Sequence, residues 1–139
     1  MKKRISILLV ILWMLLIFIM SSANGAQSDN QSGFIVNIIS NLFNISSLEI
    51  LNHIIRKIAH LTEYLILGLL VHNLIKQYNK KWYISLIICI LYAISDELHQ
   101  GFTPGRSPQI LDVFIDTIGS ITGISLLHFI IKLKKIKNK

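Results

Sequence analysis

The apolar positions of the chain fall into four long runs, separated by short polar segments. These runs cover residues 5–23, 47–75, 82–100 and 108–131. A helix of about 20 predominantly apolar residues crosses the hydrocarbon core of a bilayer, and each run approaches or exceeds that length. The pattern therefore predicts an all-α membrane protein, a four-transmembrane-helix bundle that forms a single domain over residues 1–139.

A shorter apolar segment lies between the first two runs. Phe34–Ile45 is too short to span a bilayer, and polar residues interrupt it at helical spacing. It predicts a short helix lying in the interface on the outer side. Residues 24–33 are polar and rich in Gly, Ser and Asn, and we interpret them as a loop. The spacing of Ser46 and Glu49 is that of a capping box, which places the next helix start near Ser47.

The first run has two interpretations. Basic residues at positions 2–4 precede the apolar stretch Ile5–Met20, and small residues follow it, as in a cleaved signal peptide. With residues 21–23 the run nevertheless reaches about 19 residues, close to the length that spans a bilayer. We favour a retained first helix.

Composition and charge narrow the class of protein. Apolar residues make up 53% of the chain, mean hydropathy is +0.59 and only 15% of residues are charged. The single cysteine, Cys89, excludes an intrachain disulfide and a cysteine-based metal site. Despite a net charge of +7, the basic residues flank apolar runs and form no patch with aromatic residues, so no nucleic-acid partner is expected.

The basic residues also predict an orientation. Eleven of the fourteen Lys and Arg residues lie within residues 2–4, 76–81 and 132–139. These three segments share one side of a four-helix topology, and cytoplasmic segments carry the excess of Lys and Arg. The chain is therefore expected to be a multi-pass cell-membrane protein with both termini in the cytoplasm.

Ionisable residues interrupt the apolar helices at three places. A charge inside a membrane segment costs several kcal/mol unless it is paired or lines a cavity, which makes such residues functional candidates. In the predicted topology all of them lie within roughly 10–15 Å of the outer surface. We expect one polar site facing the extracytoplasmic side, drawn from these residues: Arg56, Lys57, His60, Glu63, Asp96, Glu97, His99, Gln100, Arg106, Asp112 and Asp116.

Helical spacing indicates which of these side chains share a face. Arg56, His60 and Glu63 stand at i, i+4 and i+7, on one face of the second helix. Asp96 and Glu97 are adjacent, about 100° apart, and cannot share a face. We expect one of them to point into the site and the other to bond to the following loop.

The fourth helix combines carboxylates with glycines. Asp112, Asp116 and Gly119 share a face, and Gly123 continues it. The Gly119-x-x-x-Gly123 spacing is the pattern that lets two membrane helices approach closely. This helix is therefore expected to present its glycines and its two carboxylates to the same neighbours.

Three kinds of chemistry fit such a cluster. The carboxylates can form structural salt bridges with the basic residues of the cluster, namely Arg56, Lys57, Arg106, His60 and His99. A divalent metal can be held by His60, Glu63 and one or more of the other carboxylates. The cluster can also bind an anionic lipid head group, with the arginines on phosphate and a carboxylate or His as acid or base. The sequence alone identifies neither a cofactor nor a metal.

At these motifs the chain resembles the VanZ-like family. The pattern Arg56-Lys57-x-x-His60-x-x-Glu63-Tyr64 is similar to its second helix. The segment from Asp96-Glu97-x-His99-Gln100 through Phe102 to Pro104-Gly105-Arg106 follows, and then Asp112-x-x-x-Asp116-x-x-Gly119. A serine at Ser21–Ser22 also fits the end of that family's first helix. The match extends from the first helix to Gly123.

The resemblance implies a role at the cell envelope, namely lower susceptibility to teicoplanin-type lipoglycopeptides. It does not imply a settled reaction. The candidates for acid, base or ligand roles are His60, Glu63, Asp96, Glu97, His99, Asp112 and Asp116, and those for binding are Arg56, Lys57, Tyr64, Gln100 and Arg106.

Three functions stay open at this point. The first is a non-catalytic protein whose outer polar pocket binds or alters a membrane lipid or a lipid-linked cell-wall precursor. The second is a membrane-embedded enzyme, with or without a metal, acting on a phosphorylated or acylated lipid. The third is an assembly partner of another membrane protein. The oligomeric state is not indicated.

Overall fold

The computed structural model describes residues 2–23, 25–43 and 47–137. Over these residues the chain forms five α-helices and no strand. The helices are α1 (Lys2–Ser21), α2 (Gly25–Phe43), α3 (Leu48–Lys76), α4 (Trp82–Gln100) and α5 (Ile110–Lys137). Four of them are long and apolar enough to cross a membrane, over Lys3–Ser21, Leu48–Lys76, Trp82–Gln100 and Ile110–Lys134. The predicted four-span helical bundle is confirmed, and its orientation stays a prediction.

The spanning helices begin and end close to their predicted bounds. The largest difference is at the end of α5, which begins at Ile110 and continues to Lys137, six residues beyond its predicted end. The Gln109 carbonyl accepts the Asp112 N–H, while the Gln109 N–H donates to Glu97, so Gln109 stands at the boundary of the helix. At the other end the lysine-rich tail extends α5, because lysine is a good helix former.

The predicted loop over residues 24–33 is wrong, since α2 begins at Gly25. Ser32 and Val36, one turn apart, are buried, and the Ser32 hydroxyl donates to the Asn52 side chain of α3. The sequence of this segment forms a helix poorly by itself, and docking of this kind stabilises the helix. Once the helix has started, each further residue adds a backbone hydrogen bond. The apolar residues Phe34, Ile38 and Leu42 remain exposed. The interfacial position of α2 stays a prediction, and positions 44 and 45 lie outside the described residues.

The predicted capping box includes Ser46, which also lies outside the described residues. Ser47 occupies the N-cap position of α3, and its side chain makes no capping hydrogen bond. Glu49 nevertheless lies in the first turn of α3, where a carboxylate interacts favourably with the positive end of the helix dipole.

The central element of the bundle is α3, which packs against all four other helices. Its side chains Tyr64, Leu67 and Val71 are buried with Ile17 of α1 and Cys89 of α4. Hydrogen bonds join α1 to both α3 and α4. The Trp13 indole donates to the carbonyl oxygen of Glu63 at 2.9 Å, and the Tyr92 hydroxyl donates to the carbonyl oxygen of Met14 at 2.5 Å. The first helix is thus an integral part of the bundle.

Glycines bring α3 and α5 into backbone contact, as the small-residue pattern predicts. A Cβ atom at Gly119 would overlap the carbonyl oxygen of Leu61, and one at Gly123 would overlap that of Leu65. Gly68 meets the backbone of Ser120 in the same way from the other side. Because backbone atoms cannot swing aside as side chains do, this contact fixes how α3 and α5 align along their length.

Candidate functional site

The predicted site residues come from three helices that meet at one end of the bundle. At this end α4 finishes, residues 101–109 turn, and α5 starts. Gly105 has a φ of 76°, a conformation that glycine adopts readily. Hydrogen bonds from Thr103 N–H to the Gln100 carbonyl and from Arg106 N–H to the Thr103 carbonyl fold the segment back over the helix ends. This compact turn sets the position of Arg106.

The deepest of the site residues is Asp116, whose side chain is 0% exposed. Its Oδ1 lies 3.4 Å from Nδ1 of His60 on α3. Neither oxygen of Asp116 has a hydrogen-bond partner among the described residues. A buried carboxylate of this kind is costly unless something compensates its charge.

Glu97 and Asp96 contact different partners, but the expected division into one site residue and one loop residue does not hold, because Glu97 both bonds to the loop and lies close to His60 and Asp116. Glu97, 4% exposed, accepts the backbone N–H of Gln109 on Oε2 at 2.8 Å, so it bonds to the loop. Its second oxygen, Oε1, has no hydrogen-bond partner in the part of the chain described. Asp96 is buried at the end of α4, beside Ser21 of α1, and accepts a 3.5 Å hydrogen bond from Gln100.

Three of these residues form a compact group. His60, Glu97 and Asp116 each offer one ligand atom, and the three atoms lie within 4.8 Å of one another. The sequence predicted His60 and Glu63 as a metal pair, but the compact group takes Glu97 from α4 in place of Glu63. We call His60, Glu97 and Asp116 the buried triad.

Asp112 pairs with Lys57, one of the basic residues that the salt-bridge alternative counts. Its Oδ1 accepts a 2.6 Å hydrogen bond from the Lys57 ammonium group, and the two side chains are 13% and 26% exposed. This ion pair joins α3 to α5 one turn from Asp116. Lys57 and Asp112 therefore neutralise each other beside the buried triad.

A pocket of about 150 Å³ opens next to the buried triad. Arg56 and Arg106 both line it, together with His60 and Glu63. We call this cavity the arginine pocket. Its remaining lining comes from α1, α2 and α3, namely Met20, Ser21, Ser32, Ile35, Ile55 and Ala59.

Arg106 reaches over the arginine pocket from the turn. Its Nη1 donates to the carbonyl oxygen of Ser21 at 3.3 Å, while its buried Nε has no partner among the described residues. Burial, and after it the charge of Arg56, lowers the pKa of Arg106 below its ordinary value. The lining thus combines two guanidinium groups, which can donate charge-assisted hydrogen bonds, with the carboxylate of Glu63.

Two predicted residues lie at the edge of this arrangement. His99 stacks on Phe18 with ring centroids 4.4 Å apart, and its Nε2 lies 3.0 Å from the Ser22 hydroxyl. It therefore faces the end of α1 and belongs to neither the triad nor the pocket. Tyr64 is fully buried in the core, tilted against Tyr92, and its hydroxyl has no hydrogen-bond partner among the described residues.

The sequence missed the contribution of α2 to the pocket. Ser32 and Ile35 line it only because α2 docks on α3. Ser32 falls in the polar stretch that was interpreted as a loop, and nothing in that stretch signals a wall of a site. Ser21 had a signal, since a serine there is part of the family resemblance.

Fold and cluster together define an all-helical, multi-pass membrane protein with ionisable groups buried at one end of its bundle. A family model described as VanZ/LLP1 matches residues 6–132. The chain belongs to this family, which confirms the resemblance seen in its motifs. Neither the curated proteins nor the solved structures gave a match.

Proposed function

We propose that the arginine pocket binds the phosphorylated head group of a membrane lipid or lipid-linked cell-wall precursor. The observation that carries this is the presence of Arg56 and Arg106 in one pocket. Guanidinium groups bind phosphate oxygens in pairs, with charge-assisted hydrogen bonds about twice as strong as neutral ones. The proposed consequence in the cell is a lower susceptibility to teicoplanin-type lipoglycopeptides.

The size and lining of the pocket support a lipid head group. A volume of about 150 Å³ corresponds to about five water molecules at ~30 Å³ each. This holds a phosphate and a few neighbouring atoms, so a larger head group would extend outside. Met20, Ile35 and Ile55 give the pocket an apolar side, suited to the start of a hydrocarbon tail. Glu63 would accept a hydrogen bond from a head-group hydroxyl.

Lipid binding tests this proposal directly. The full chain, purified in mild detergent, is titrated with a polyprenyl phosphate and with the matching polyprenol, and complexes are counted by native mass spectrometry. We expect binding of the phosphate only. Arg106→Gln should weaken phosphate binding at least tenfold, about 1.4 kcal/mol. Arg4→Gln changes an exposed arginine at the opposite end of α1 from the pocket and should leave binding unchanged. Equal binding of polyprenol would refute the proposal.

The role in resistance has a separate test. Cells that express the wild-type chain should tolerate more teicoplanin than cells that express Arg106→Gln at the same membrane abundance. Arg4→Gln serves again as the matched control. Equal susceptibility with all three chains would remove the proposed physiological role and leave the binding proposal standing.

A second candidate function is an enzyme that acts on the same lipid. The observation that favours it is that His60 and Glu63 line the same pocket as the arginines, where an imidazole or a carboxylate can move a proton. Mass spectrometry of the lipid after incubation decides between the two functions. A converted lipid with wild type, and an unconverted but bound one with Glu63→Gln, would establish the enzyme.

The proposed orientation puts the pocket on the extracytoplasmic side. Cys89 is the single cysteine and is fully buried, so one new cysteine can report its own accessibility. A membrane-impermeant thiol reagent should label Ser107→Cys in intact cells and should label Lys80→Cys only after lysis. Both positions are exposed. The opposite pattern would reverse the orientation.

A further inference from the structure

The charges at this end of the bundle do not balance among the described residues. Once Lys57 and Asp112 are paired, four carboxylates remain, and the two guanidinium groups of the arginine pocket compensate only part of their charge. With all four carboxylates ionised and with His60 and His99 neutral, the excess amounts to two negative charges. Buried charges are retained only where something neutralises them. The four carboxylates are Glu63, Asp96, Glu97 and Asp116.

The buried triad is the densest part of this excess. Its three ligand atoms lie within 4.8 Å of one another. For metal–ligand bonds of about 2.1 Å, two ligands of a tetrahedral site are about 3.4 Å apart. The Nδ1 atom of His60 and Oδ1 of Asp116 are 3.4 Å apart. This pair therefore already has the separation of two ligands in such a site.

The same atoms have no other use in the described residues. Both oxygens of Asp116, Oε1 of Glu97 and Nδ1 of His60 lack a hydrogen-bond partner there. Asp116 is fully buried, and Glu97 nearly so. In native proteins most buried polar atoms are hydrogen-bonded, so several orphans at one point call for an explanation such as an ion.

The surrounding contacts hold the triad in place. The Gln109 N–H fixes one oxygen of Glu97 and leaves the other free. On α5, Asp116 precedes Gly119 by one turn, and Gly119 packs against the backbone of Leu61, next to His60. The glycine contact thus sets the distance between His60 and Asp116. A metal ligand fixed from outside the coordination sphere is the arrangement seen in many metal sites.

We propose that His60, Glu97 and Asp116 bind one divalent metal ion of the Zn²⁺ or Mn²⁺ class. One imidazole and two carboxylates suit these ions, whereas Cu(I) prefers the thiolate or thioether ligands that the triad lacks. Three protein ligands leave a coordination position open. His60 also lines the arginine pocket, so a metal held by the triad would lie beside the phosphate site, an inference that rests on the function proposed above. A metal held there would supply Lewis-acid polarisation of a phosphoryl oxygen.

Metal content tests the site. The full chain is stripped with a chelator in mild detergent, incubated with an equivalent of Zn²⁺ or Mn²⁺, passed through gel filtration and analysed by elemental mass spectrometry. Wild type should retain one of the two ions in stoichiometric amount. Asp116→Asn and Glu97→Gln should each lower the retained metal at least tenfold, and Glu49→Gln, at an exposed carboxylate of α3, should not. Elution position and helicity show that each variant is folded.

Two results would overturn the metal site: wild type that retains neither ion, or retention that both triad variants leave unchanged. In the first case protons neutralise the carboxylates. The arginine variants separate this inference from the proposed function, since Arg106→Gln should lose the polyprenyl phosphate and keep the metal. Lipid binding without metal refutes the metal site alone. Metal retention without lipid binding refutes the head-group proposal alone.

Discussion

Two histidines on the same helix have opposite surroundings. His72, buried towards the end of α3, has Nδ1 3.1 Å from the hydroxyl of Ser85 on α4. His60, three turns earlier, lies among carboxylates of which three oxygens, both of Asp116 and Oε1 of Glu97, have no hydrogen-bond partner in the described chain. A neutral hydrogen bond satisfies the first and needs nothing more. The second stands where the protein has assembled charges beyond what its own contacts compensate.

Stability and ligand binding therefore depend on different regions of this bundle. Around His72 the helices bury apolar side chains and a closed polar pair, an arrangement that contributes to folding. Around His60 the unpartnered polar atoms weaken the fold unless a ligand occupies the site. Natural proteins accept such a cost where function needs it.

The largest loss of stability is expected at the glycine contact between α3 and α5, which the regions of both histidines share. Gly123→Ala would place a methyl group on the carbonyl oxygen of Leu65, a backbone atom that cannot rotate away. Overpacking of this kind costs about 3 kcal/mol, the upper part of the usual range. Thermal unfolding in mild detergent measures it.

Gly33→Ala is the matched control for that experiment. No heavy atom of the described chain lies within 4 Å of a Cβ at Gly33, and alanine is the better helix former by about 1 kcal/mol. The control should therefore unfold at an equal or higher temperature than wild type. Equal stability of Gly123→Ala and Gly33→Ala would contradict the close approach of α3 and α5.

A smaller loss of stability is expected when the ion pair beside the buried triad, Lys57–Asp112, is broken. Lys57→Gln leaves the mostly buried carboxylate of Asp112 without its 2.6 Å partner, which should lower the free energy of unfolding by about 2–3 kcal/mol. The double variant with Asp112→Asn should recover part of this loss, because no unpaired charge remains. Losses that simply add would show that the two residues do not interact.

The smallest effect is expected at the closed pair. Ser85→Ala removes the hydrogen-bond partner of His72 and should lower the free energy of unfolding by about 1–2 kcal/mol. Retention of metal and of polyprenyl phosphate should be unchanged, because the pair lies apart from the polar site. Ser125→Ala, at an exposed serine of α5, should change neither the free energy of unfolding nor the retention of either ligand. If folded Ser85→Ala lost the metal or the polyprenyl phosphate, the different roles assigned to His72 and His60 would be contradicted.

Sequence alone could predict the parts of this protein that depend on strong local rules. Length and apolarity give the spanning helices, and charges inside them stand out, so His60, Glu63, Asp96 and Asp116 could be assigned to one end. The Gly119–Gly123 pattern likewise predicted the close approach of α5 to another helix, which the structure shows with α3.

The remainder depends on tertiary contacts that no local rule contains. Glu97 enters the buried triad in place of Glu63 because the turn after α4 brings the Gln109 N–H to its other oxygen. Lys57 pairs with Asp112 because α3 and α5 align at that register. Residues 25–31 look like a loop, and they are helical because α2 docks through Ser32.

The central claim is that the buried triad is kept for a ligand and does not serve as a structural salt bridge. The most direct test is the thermal unfolding midpoint of Asp116→Asn against wild type, both chelator-treated and free of lipid. The account predicts a midpoint equal to or above that of wild type, because the variant removes a buried charge that has no hydrogen bond among the described residues. A midpoint lower by more than about 4 °C, the shift that ~1 kcal/mol causes in a domain of this size, would contradict it and leave the His60–Asp116 contact as a structural salt bridge.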